Sequence, residues 1–239
     1  MMTPYSADFL LDRLLYRDGL ILVVDKPAGL PVHAGPKGGP NLEDYVDALR
    51  FGLPGPPHLA HRLDRDTSGC LVLGRHKKAL RRLGKLFESG QVEKVYWAVV
   101  EGRMAEREGR IELPLRKRST QARGWWMEPA PEGEGQRAVT DYRVLAATED
   151  CSLVECRPRT GRTHQLRVHL ASLGHPIRGD AVYGQPRPGE ALLLHAKSLT
   201  LPLYPSRPPL LIEAPLPERF RAALPEPVSE ASLPRVCGV

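Results

Sequence analysis

The stretch HLAHRLDRDTSGCLVLGRHKKAL, residues His58–Leu80, joins a cluster of charged residues to a turn and an apolar segment. Asp64 and Asp66 alternate there with Arg62 and Arg65, ahead of a Thr-Ser-Gly turn and an apolar run. A carboxylate between guanidinium groups stays ionised and can be held by their hydrogen bonds, so Asp64 is a candidate nucleophile or base. A structural ion pair produces the same pattern without any catalytic role. Periodicity does not choose between the two.

The residues around this stretch predict strands and helices that do not alternate strictly. A β-rich run at Leu20–Val24 ends at a Lys-Pro-Ala-Gly turn, and Asn41 caps a short helix that ends at Gly52. The later elements are a strand at CLVLG, a helix in HKKALRRLGKLFESG, strands at VEKVYWAVVEG, GRIELPLRKRST, 138–145 and 152–156, a late strand in ALLLHAKSLTLPL and a closing helix in APLPERFRAAL. This order favours one α+β domain with a mostly antiparallel or mixed sheet.

A second arginine-rich stretch follows about a hundred residues after the first. The turn RPRTGR leads into a helix for which Thr163 is the expected N-cap, with Leu166, Leu170 and Leu173 on one face. Such a turn brings backbone N–H groups and Arg side chains together at a helix start. The arrangement is suited to binding an anion.

Two features permit either a binding role or an ordinary structural one. The helix after Arg75 carries Lys and Arg on its outer face, which is typical both of an RNA contact and of a solvated helix. Trp125 and Trp126 point to opposite sides if their backbone is extended, so one can pack in the core while the other stays exposed. An exposed tryptophan beside arginines can stack on a base, although packing is the commoner use of Trp.

Composition bounds the remaining possibilities. The chain has 239 residues, 41% of them apolar, and a net charge of +6 with a pI near 9.3, which moderately favours a polyanionic partner. The first twenty residues do not resemble a signal peptide, and no apolar run of about 18 residues occurs, so we expect neither a signal peptide nor a membrane span. Four cysteines without a Cys-x-x-Cys pair argue against a disulfide framework or a zinc ribbon. We therefore expect a cytoplasmic protein that is not associated with a membrane.

Three familiar chemistries do not fit the sequence. Neither of the glycine-rich phosphate-binding motifs is present, so a nucleotide cofactor is not expected. His164 and His169 are five residues apart and lack the Glu of a metalloprotease helix, so no metal is expected. Ser68 lies outside a Gly-x-Ser-x-Gly elbow, which makes a hydrolase nucleophile a weak hypothesis.

Several motifs together resemble one family. HRLDRDTSG at 61–69 resembles the active-site motif of the RluA-type pseudouridine synthases, and EKVYWAVVEG resembles the family's Lys-x-Tyr strand. RTGRTHQLRVHLASLGHPIRGDAVYG is similar to its third motif, LLLHAKSLTL to its late strand, and VVDKPAGLPVH to its beginning. These blocks keep their order from about residue 20 to residue 220, so the resemblance covers nearly the whole chain.

The resemblance implies a fold and a reaction. The fold is the α+β pseudouridine synthase fold, with a long bent mixed or antiparallel sheet, flanking helices and a central RNA-binding cleft. The family isomerises uridine in RNA: the bond from ribose to the uracil nitrogen breaks, the base turns, and it is rejoined through carbon 5. The reaction uses neither a cofactor nor a metal.

The matching positions also receive roles from the resemblance. Asp64 matches the catalytic aspartate, Arg167 the arginine that pairs with it, and Tyr96 the tyrosine that stacks on the base and exchanges a proton. Arg62 matches an arginine that fills the space left by the flipped nucleotide. The further residues expected to contact RNA are His61, Lys94, Arg162 and His164.

The same resemblance gives the expected organisation and partners. We expect one catalytic domain over 1–239, with a core at about 18–224, no separate N-terminal RNA-binding domain, and a tail at about 228–239. The partner is rRNA or tRNA, and the protein is expected to be a monomer. The insert at 36–58 and the Trp125-Trp126 segment indicate no particular substrate.

Two other functions compete with this interpretation. A non-catalytic RNA-binding or chaperone protein on the same scaffold is disfavoured by intact Asp64, Tyr96 and Arg167. A carboxylate-dependent glycoside or nucleoside hydrolase requires a second acid at a defined distance, and Asp66 is too near in sequence to supply it.

Overall fold

The computed structural model describes residues 5–35, 38–122, 124–131 and 133–224. Its strands, numbered in chain order, are β1 (Leu14–Arg17), β2 (Ile21–Lys26), β3 (His58–Leu59), β4 (Ser68–Gly74), β5 (Glu93–Glu101), β6 (Glu108–Glu112), β7 (Leu115–Thr120), β8 (Gly124–Pro129), β9 (Val139–Ala147), β10 (Cys151–Pro158), β11 (Leu194–Leu201) and β12 (Leu210–Glu213). The helices are a 3₁₀ helix (Leu42–Leu49), α1 (Lys77–Glu88), α2 (Gln165–Ser172) and α3 (Glu218–Arg221). Strands dominate and do not alternate strictly with helices, as expected for the α+β class.

The chain contacts cluster in two compact units. The first contains the chain up to Glu93 together with Ala196–Pro215, and the second contains Lys94–His195 and a segment that begins at Leu216. The expectation of one catalytic domain with a core at about 18–224 stays a prediction. The expected tail at 228–239 and part of the 36–58 insert lie outside the described residues.

The first unit is built on antiparallel strand pairs. β2 pairs with β1 on one side and β4 on the other, β3 also pairs with β4, and β12 pairs with β11. Helix α1 packs on this unit through Leu83, which lies in a buried apolar cluster with Ile21, Val23, Val72 and Leu199. The basic side chains of α1 lie on its other side, as its periodicity predicted.

The second unit contains four sheet strands that pair antiparallel in the order β5, β10, β9, β6. Strands β7 and β8 form a separate two-stranded hairpin. Leu166 and Leu170 of α2 pack on the sheet, against a cluster that includes Val95, Trp97 and Leu153. Leu173, predicted on the same apolar face, is 41% exposed because α2 ends one residue before it.

Two predictions of helix ends are confirmed, at Asn41 and at Gly90. Asn41 caps the 3₁₀ helix, where its side chain accepts from the Glu43 N–H and Asp44 completes a capping box. Gly90 follows α1 with φ of +69°, the left-handed conformation expected of a glycine after a helix end. No helix in the described ranges combines the length and apolar character needed to cross a bilayer.

The prediction of one continuous strand over GRIELPLRKRST is wrong. Pro114 separates β6 from β7, because a proline has no N–H to donate to a neighbouring strand. β6 pairs with β9, whereas β7 pairs with β8. The tryptophan-containing segment thus belongs to a hairpin rather than to the main sheet of its unit.

The glycine of the Thr-Ser-Gly turn is required by geometry on two grounds. Gly69 has φ of +107°, and a Cβ placed on it would lie 2.3 Å from the carbonyl oxygen of Ala196 in β11. The backbone of β4 therefore approaches β11 more closely than any side chain permits. This contact fixes the start of β4, directly after the loop that contains Asp64.

We predict that Gly69→Ala lowers the free energy of unfolding by about 3 kcal/mol, because it adds both backbone strain and a steric clash. Gly84→Ala is the matched control. Gly84 lies in α1, and apart from its own helix backbone no described atom lies within 4 Å of the place a Cβ would take, so alanine stabilises by up to about 1 kcal/mol. Urea denaturation of both variants measures the difference. Shifts of the same sign and size would contradict the close approach at Gly69.

Candidate active site

Asp64 lies in the loop between β3 and β4, and it is half-buried. Its carbonyl oxygen accepts from the N–H of Thr67 at 3.2 Å, which closes a turn. Thr67 and Ser68 after the turn are buried. The loop thus holds Asp64 at a partly accessible position and is anchored immediately afterwards.

A buried lysine ties this loop to the turn after β2. Lys26 is 0% exposed, and its ammonium donates to the carbonyl oxygens of Pro27 and Leu30, both at 2.8 Å, and of Arg65 at 2.9 Å. The Gly29 N–H donates to the same Arg65 carbonyl at 3.0 Å. Because Arg65 directly follows Asp64, these bonds fix the backbone beside the candidate carboxylate.

The charged neighbours of Asp64 are more exposed. The Arg65 guanidinium donates to the Gly29 carbonyl at 3.2 Å and lies 3.7 Å from the Asp66 carboxylate. Arg65 and Asp66 are exposed, and an exposed ion pair contributes little stability. Arg62, which the resemblance assigns to the space left by the flipped nucleotide, is also exposed.

His61 makes structural contacts in this loop. Its Nε2 accepts from the Val72 N–H at 3.0 Å, so this nitrogen carries no proton, and its ring packs 4.7 Å from the ring of Phe87 in α1. These contacts orient the segment before Asp64 against β4. An RNA contact by His61 stays a prediction.

Strand β5 carries Lys94 and Tyr96 in the second unit. Val95 and Trp97, which alternate with them, lie in the apolar cluster, so Lys94 and Tyr96 share the other face and are half-buried. The Lys94 ammonium lies 3.9 Å from the position that a Cβ on Gly161 would occupy. Lys94 therefore reaches the arginine-rich turn, and burial lowers the pKa of its ammonium.

Gln165 organises that turn, which connects β10 to α2. Its side-chain oxygen accepts from Thr160 Oγ1 at 2.7 Å and from the Arg162 N–H at 3.0 Å. Its side-chain nitrogen donates to the Val139 carbonyl and to Thr140 Oγ1, each at 2.9 Å. The exposed Arg162 is thus held by its backbone, while its guanidinium donates to the Arg137 carbonyl at 3.1 Å.

The predicted N-cap of α2 is wrong. The cap is His164 rather than Thr163, and its backbone is left-handed with φ of +53°, without a capping hydrogen bond from its side chain. The imidazole instead lies 2.8 Å, Nδ1 to oxygen, from the Tyr183 hydroxyl. The same hydroxyl accepts from the Met127 N–H at 2.9 Å, so Tyr183 connects His164 to β8.

Arg167 is buried in α2 and forms a bidentate ion pair that the sequence analysis did not foresee. Its Nε and one terminal nitrogen donate to the two carboxylate oxygens of Asp180, both at 2.7 Å. The Asp180 side chain is 0% exposed, and it also accepts from the N–H groups of Val182 and Tyr183. Asp180 therefore positions the arginine to which the resemblance assigns a catalytic role.

Charge and backbone geometry both stabilise Asp180. Burial alone would raise the pKa of its carboxyl group, but the hydrogen bond and charge of Arg167 and the two backbone N–H groups outweigh it and hold the pKa below its usual value. Gly179, with φ of +75°, precedes it, and a Cβ there would lie 2.1 Å from the Ala191 carbonyl. The signal for Asp180 was present in the sequence: an arginine between Leu166 and Val168 of an apolar helix needs a buried counter-charge.

Each unit thus gathers its own group of predicted residues. His61, Arg62 and Asp64 share the loop of the first unit. In the second unit, Arg162, His164 and Arg167 lie at or near the start of α2, Lys94 lies near Gly161 in the turn before it, and Tyr96 lies on β5. His169 of α2 belongs to the core, where burial lowers its pKa and Thr140 Oγ1 and the Leu113 carbonyl bind its ring. Within the described ranges, no three His, Cys, Asp or Glu side chains are grouped to hold a metal ion.

Comparison with known proteins agrees with these motifs. The model of a family described as RNA pseudouridylate synthase matches residues 20–172. An uncharacterised RNA pseudouridine synthase of Zymomonas mobilis is 47% identical over 214 residues, which cover 88% of this chain and 96% of that protein. The ribosomal large subunit pseudouridine synthase D of the same organism is 36% identical, over 77% of this chain and 59% of that protein.

A solved structure is similar as well. Human RNA pseudouridylate synthase domain containing 4 superimposes with a TM-score of 0.75 at 32% identity, covering 90% of this chain and 92% of that one. These matches confirm the fold and the family expected from the motifs. The chain belongs to the RNA pseudouridylate synthase family, whose members are isomerases that act on RNA.

Proposed function

We propose that this RNA pseudouridine synthase isomerises specific uridines in rRNA or tRNA with Asp64 as its catalytic carboxylate. The observation that carries the proposal is the Lys26 anchor, in which a wholly buried charge fixes the carbonyl of the residue after Asp64. Burying an ammonium is unfavourable unless its hydrogen bonds are satisfied, so the anchor is a costly way to hold a surface loop. A catalytic role for Asp64 accounts for this anchor, because catalysis requires the carboxylate to be held in a fixed position.

The reaction replaces one carbon–nitrogen bond with a carbon–carbon bond. It is an isomerisation, so the nucleotide as a whole is neither oxidised nor reduced. The bond between ribose C1′ and uracil N1 breaks, the base turns, and C1′ bonds to C5. N1 gains a proton, and the proton on C5 is lost. Asp64 either attacks covalently or assists glycosidic cleavage, and both routes require an ionised carboxylate.

The other proposed site residues serve that carboxylate and the base. Tyr96 stacks on the target uracil and exchanges a proton through its hydroxyl. As the resemblance implies, Arg167 is the partner of the Asp64 carboxylate during the reaction. A guanidinium has five N–H donors, and Asp180 accepts from two of those on Arg167, so Asp180 acts as a positioning residue.

RNA binding is proposed to depend on the basic residues beside Asp64 and on those near the start of α2. Arg62 and Arg162 are exposed, and Lys94 lies near Gly161 in the arginine-rich turn. With His61 and His164, they are the proposed contacts to phosphates and to the flipped nucleotide. The relative named for the ribosomal large subunit supports rRNA as the substrate class, with tRNA as the alternative.

The remaining proposals concern the state of the enzyme. We propose that it acts in the cytoplasm as a monomer, as one catalytic domain, without a metal or an organic cofactor. Uridine isomerisation needs acid–base and nucleophilic groups only, and the proposed residues Asp64 and Tyr96 are of these types.

We predict that Asp64→Asn lowers pseudouridine formation by at least about 1,000-fold, because the amide can act neither as nucleophile nor as base. The fold and the RNA affinity should remain close to wild type. The assay is tritium release from RNA labelled at uridine C5, and the RNA is rRNA and tRNA isolated from cells that lack this protein. Mapping pseudouridine in cells with and without the protein identifies the modified site.

Asp66→Asn is the matched control, because Asp66 lies two residues away in an exposed ion pair with Arg65. It should keep wild-type activity. Full activity in Asp64→Asn, or an equal loss in Asp66→Asn, would overturn the assignment of Asp64. Unchanged maps for both RNA classes would favour a non-catalytic RNA-binding protein.

We predict that Asp180→Asn lowers the free energy of unfolding by about 3 kcal/mol at neutral pH, because it leaves the buried Arg167 without its counter-charge. The catalytic rate should fall as well, with RNA affinity less affected. Glu149→Gln removes the exposed pair with Arg103 and should cost less than about 1 kcal/mol. Equal losses in the two variants would contradict a special role for the Asp180 pair.

The Asp180 pair also has a pH signature. Its folded pKa lies below the unfolded value of about 3.9, so the stability it contributes is present above that pH and is lost as the pH falls through the folded pKa. Wild type should therefore lose stability more steeply than Asp180→Asn in this acid range. Chemical denaturation of both proteins at several pH values measures the free energy of unfolding. The same pH dependence in the two proteins would contradict the prediction.

We predict a strong salt dependence of RNA binding. Phosphate contacts from Lys94 and Arg162 alone give a slope of about −1.4 in log affinity against log salt, and any further contact makes it steeper, so a fourfold rise in salt weakens binding by roughly 7-fold or more. Fluorescence anisotropy over a salt series measures the slope. A flat response would exclude phosphate contacts as the main source of affinity.

A further inference from the structure

The hairpin of β7 and β8 presents one face to α2. Ser119 lies opposite Trp125 and Lys117 opposite Met127, so these four side chains share a face. Met127 is 7% exposed and lies in an apolar cluster with Val168 of α2. Towards the tip of the hairpin, beyond this buried contact, the face continues with Trp125.

Trp125 is an exposed aromatic residue with defined neighbours. It is 46% exposed, and its ring lies 5.0 Å from the imidazole of His164 at a tilt of 30°. The ammonium of Lys117 lies 5.0 Å from the centroid of the same tryptophan. We call these three residues the Trp125 platform.

The platform is held by hydrogen bonds on both sides. His164 is bound to the Tyr183 hydroxyl, which in turn accepts from the Met127 N–H of β8. The rings of His164 and Tyr183 meet edge to face at 5.5 Å. The tryptophan therefore lies on a fixed support that connects the hairpin to the start of α2.

The two faces of the hairpin differ in how their charges are satisfied. On the other face, Arg116 and Arg118 lie 3.0 and 3.4 Å from the carboxylate of Glu128. On the platform face, the cation of Lys117 lies over an aromatic ring. A nucleic-acid base stacked on an aromatic ring is held more strongly than a cation over an exposed ring. A base can therefore replace the ammonium, which is then available for a phosphate.

We propose that the Trp125 platform binds an unpaired base of the substrate RNA by stacking, while Lys117 contacts a neighbouring phosphate. The inference rests on the proposed function, because the RNA is taken to be the substrate. His164 is three residues before Arg167, so the stacked base lies close to the target uridine in the RNA. A base in a duplex is not accessible for such stacking, and the substrate class is therefore a loop or a bulge.

The test uses a short single-stranded RNA and the duplex that it forms with its complement. Trp125→Ala in the full chain should weaken single-strand binding between about 5- and 150-fold, the change that corresponds to the loss of one stacked base. Duplex binding should be unchanged, and Trp125→Phe should retain most of the affinity because its ring still stacks. Anisotropy at fixed salt measures all of these affinities.

Trp126→Ala is the matched control, since Trp126 lies on the other face of the same strand. It should leave binding close to wild type. Equal losses for the two tryptophans, or an equal loss of duplex binding, would overturn the proposal, since general damage to the hairpin would explain them. Sedimentation gives one more test. A wild-type dimer that becomes a monomer in Trp125→Ala would also overturn the proposal, because the exposed ring would then bind a second copy of the chain.

Two further readouts do not depend on an alanine variant of the tryptophan. Stacking should quench the emission of Trp125 when the single strand is added to a Trp126→Phe protein, and Lys117→Ala should make the salt slope shallower by about one. Absence of quenching would overturn the stacking.

Pseudouridine formation is measured separately. If wild type forms pseudouridine and Trp125→Ala changes neither RNA binding nor product, the platform inference fails while the proposed function stands. Single-strand stacking without product defeats the proposed function and supports the platform.

Discussion

The buried ammonium of Lys26 constrains two loops of the first unit at once. Its three carbonyl partners belong to two segments far apart in sequence, the turn after β2 and the loop after β3. Hydrogen bonds to a charged donor contribute about 1.5–3 kcal/mol each, and an ammonium without them is too costly to bury. The two segments can therefore adopt this arrangement only together, and the arrangement defines where Asp64 lies.

The second unit also fixes a loop through buried charge, but it does so with an ion pair. Arg167 and Asp180 are buried together, and backbone N–H groups complete the coordination of the carboxylate. Gln165, at the start of the same helix, binds both strand and turn. In both units a buried polar group connects a regular element to an irregular loop. This explains how loops that bear charged side chains keep a defined geometry.

Much of the fold could be predicted from the sequence because its signals are local. The cap at Asn41, the amphipathic helix α1 and the strand β5 each follow from neighbouring residues. The motifs also identified the family and its fold. Only the resemblance favours a reactive Asp64 over an ion-pair residue, since the charge pattern is the same in both cases.

The strand predicted across Pro114 overlooked a local signal, whereas the other errors arose where a distant contact decides the local structure. Thr163 has the chemistry of a helix cap, but His164 takes that position because its ring binds Tyr183 from the segment after α2. Asp180 was overlooked because ion pairing depends on the approach of two segments, not on spacing. The short strands β1, β3 and β12 have little pattern of their own and exist through pairing with longer neighbours.

The left-handed backbone of His164 has a consequence for how this enzyme can evolve. A residue in this conformation without the freedom of glycine costs about 1 kcal/mol or more, and glycine would remove this backbone cost. Glycine would also remove the ring that joins Tyr183 to Trp125. On the role proposed for the Trp125 platform, selection for stability and selection for RNA binding act in opposite directions at this position.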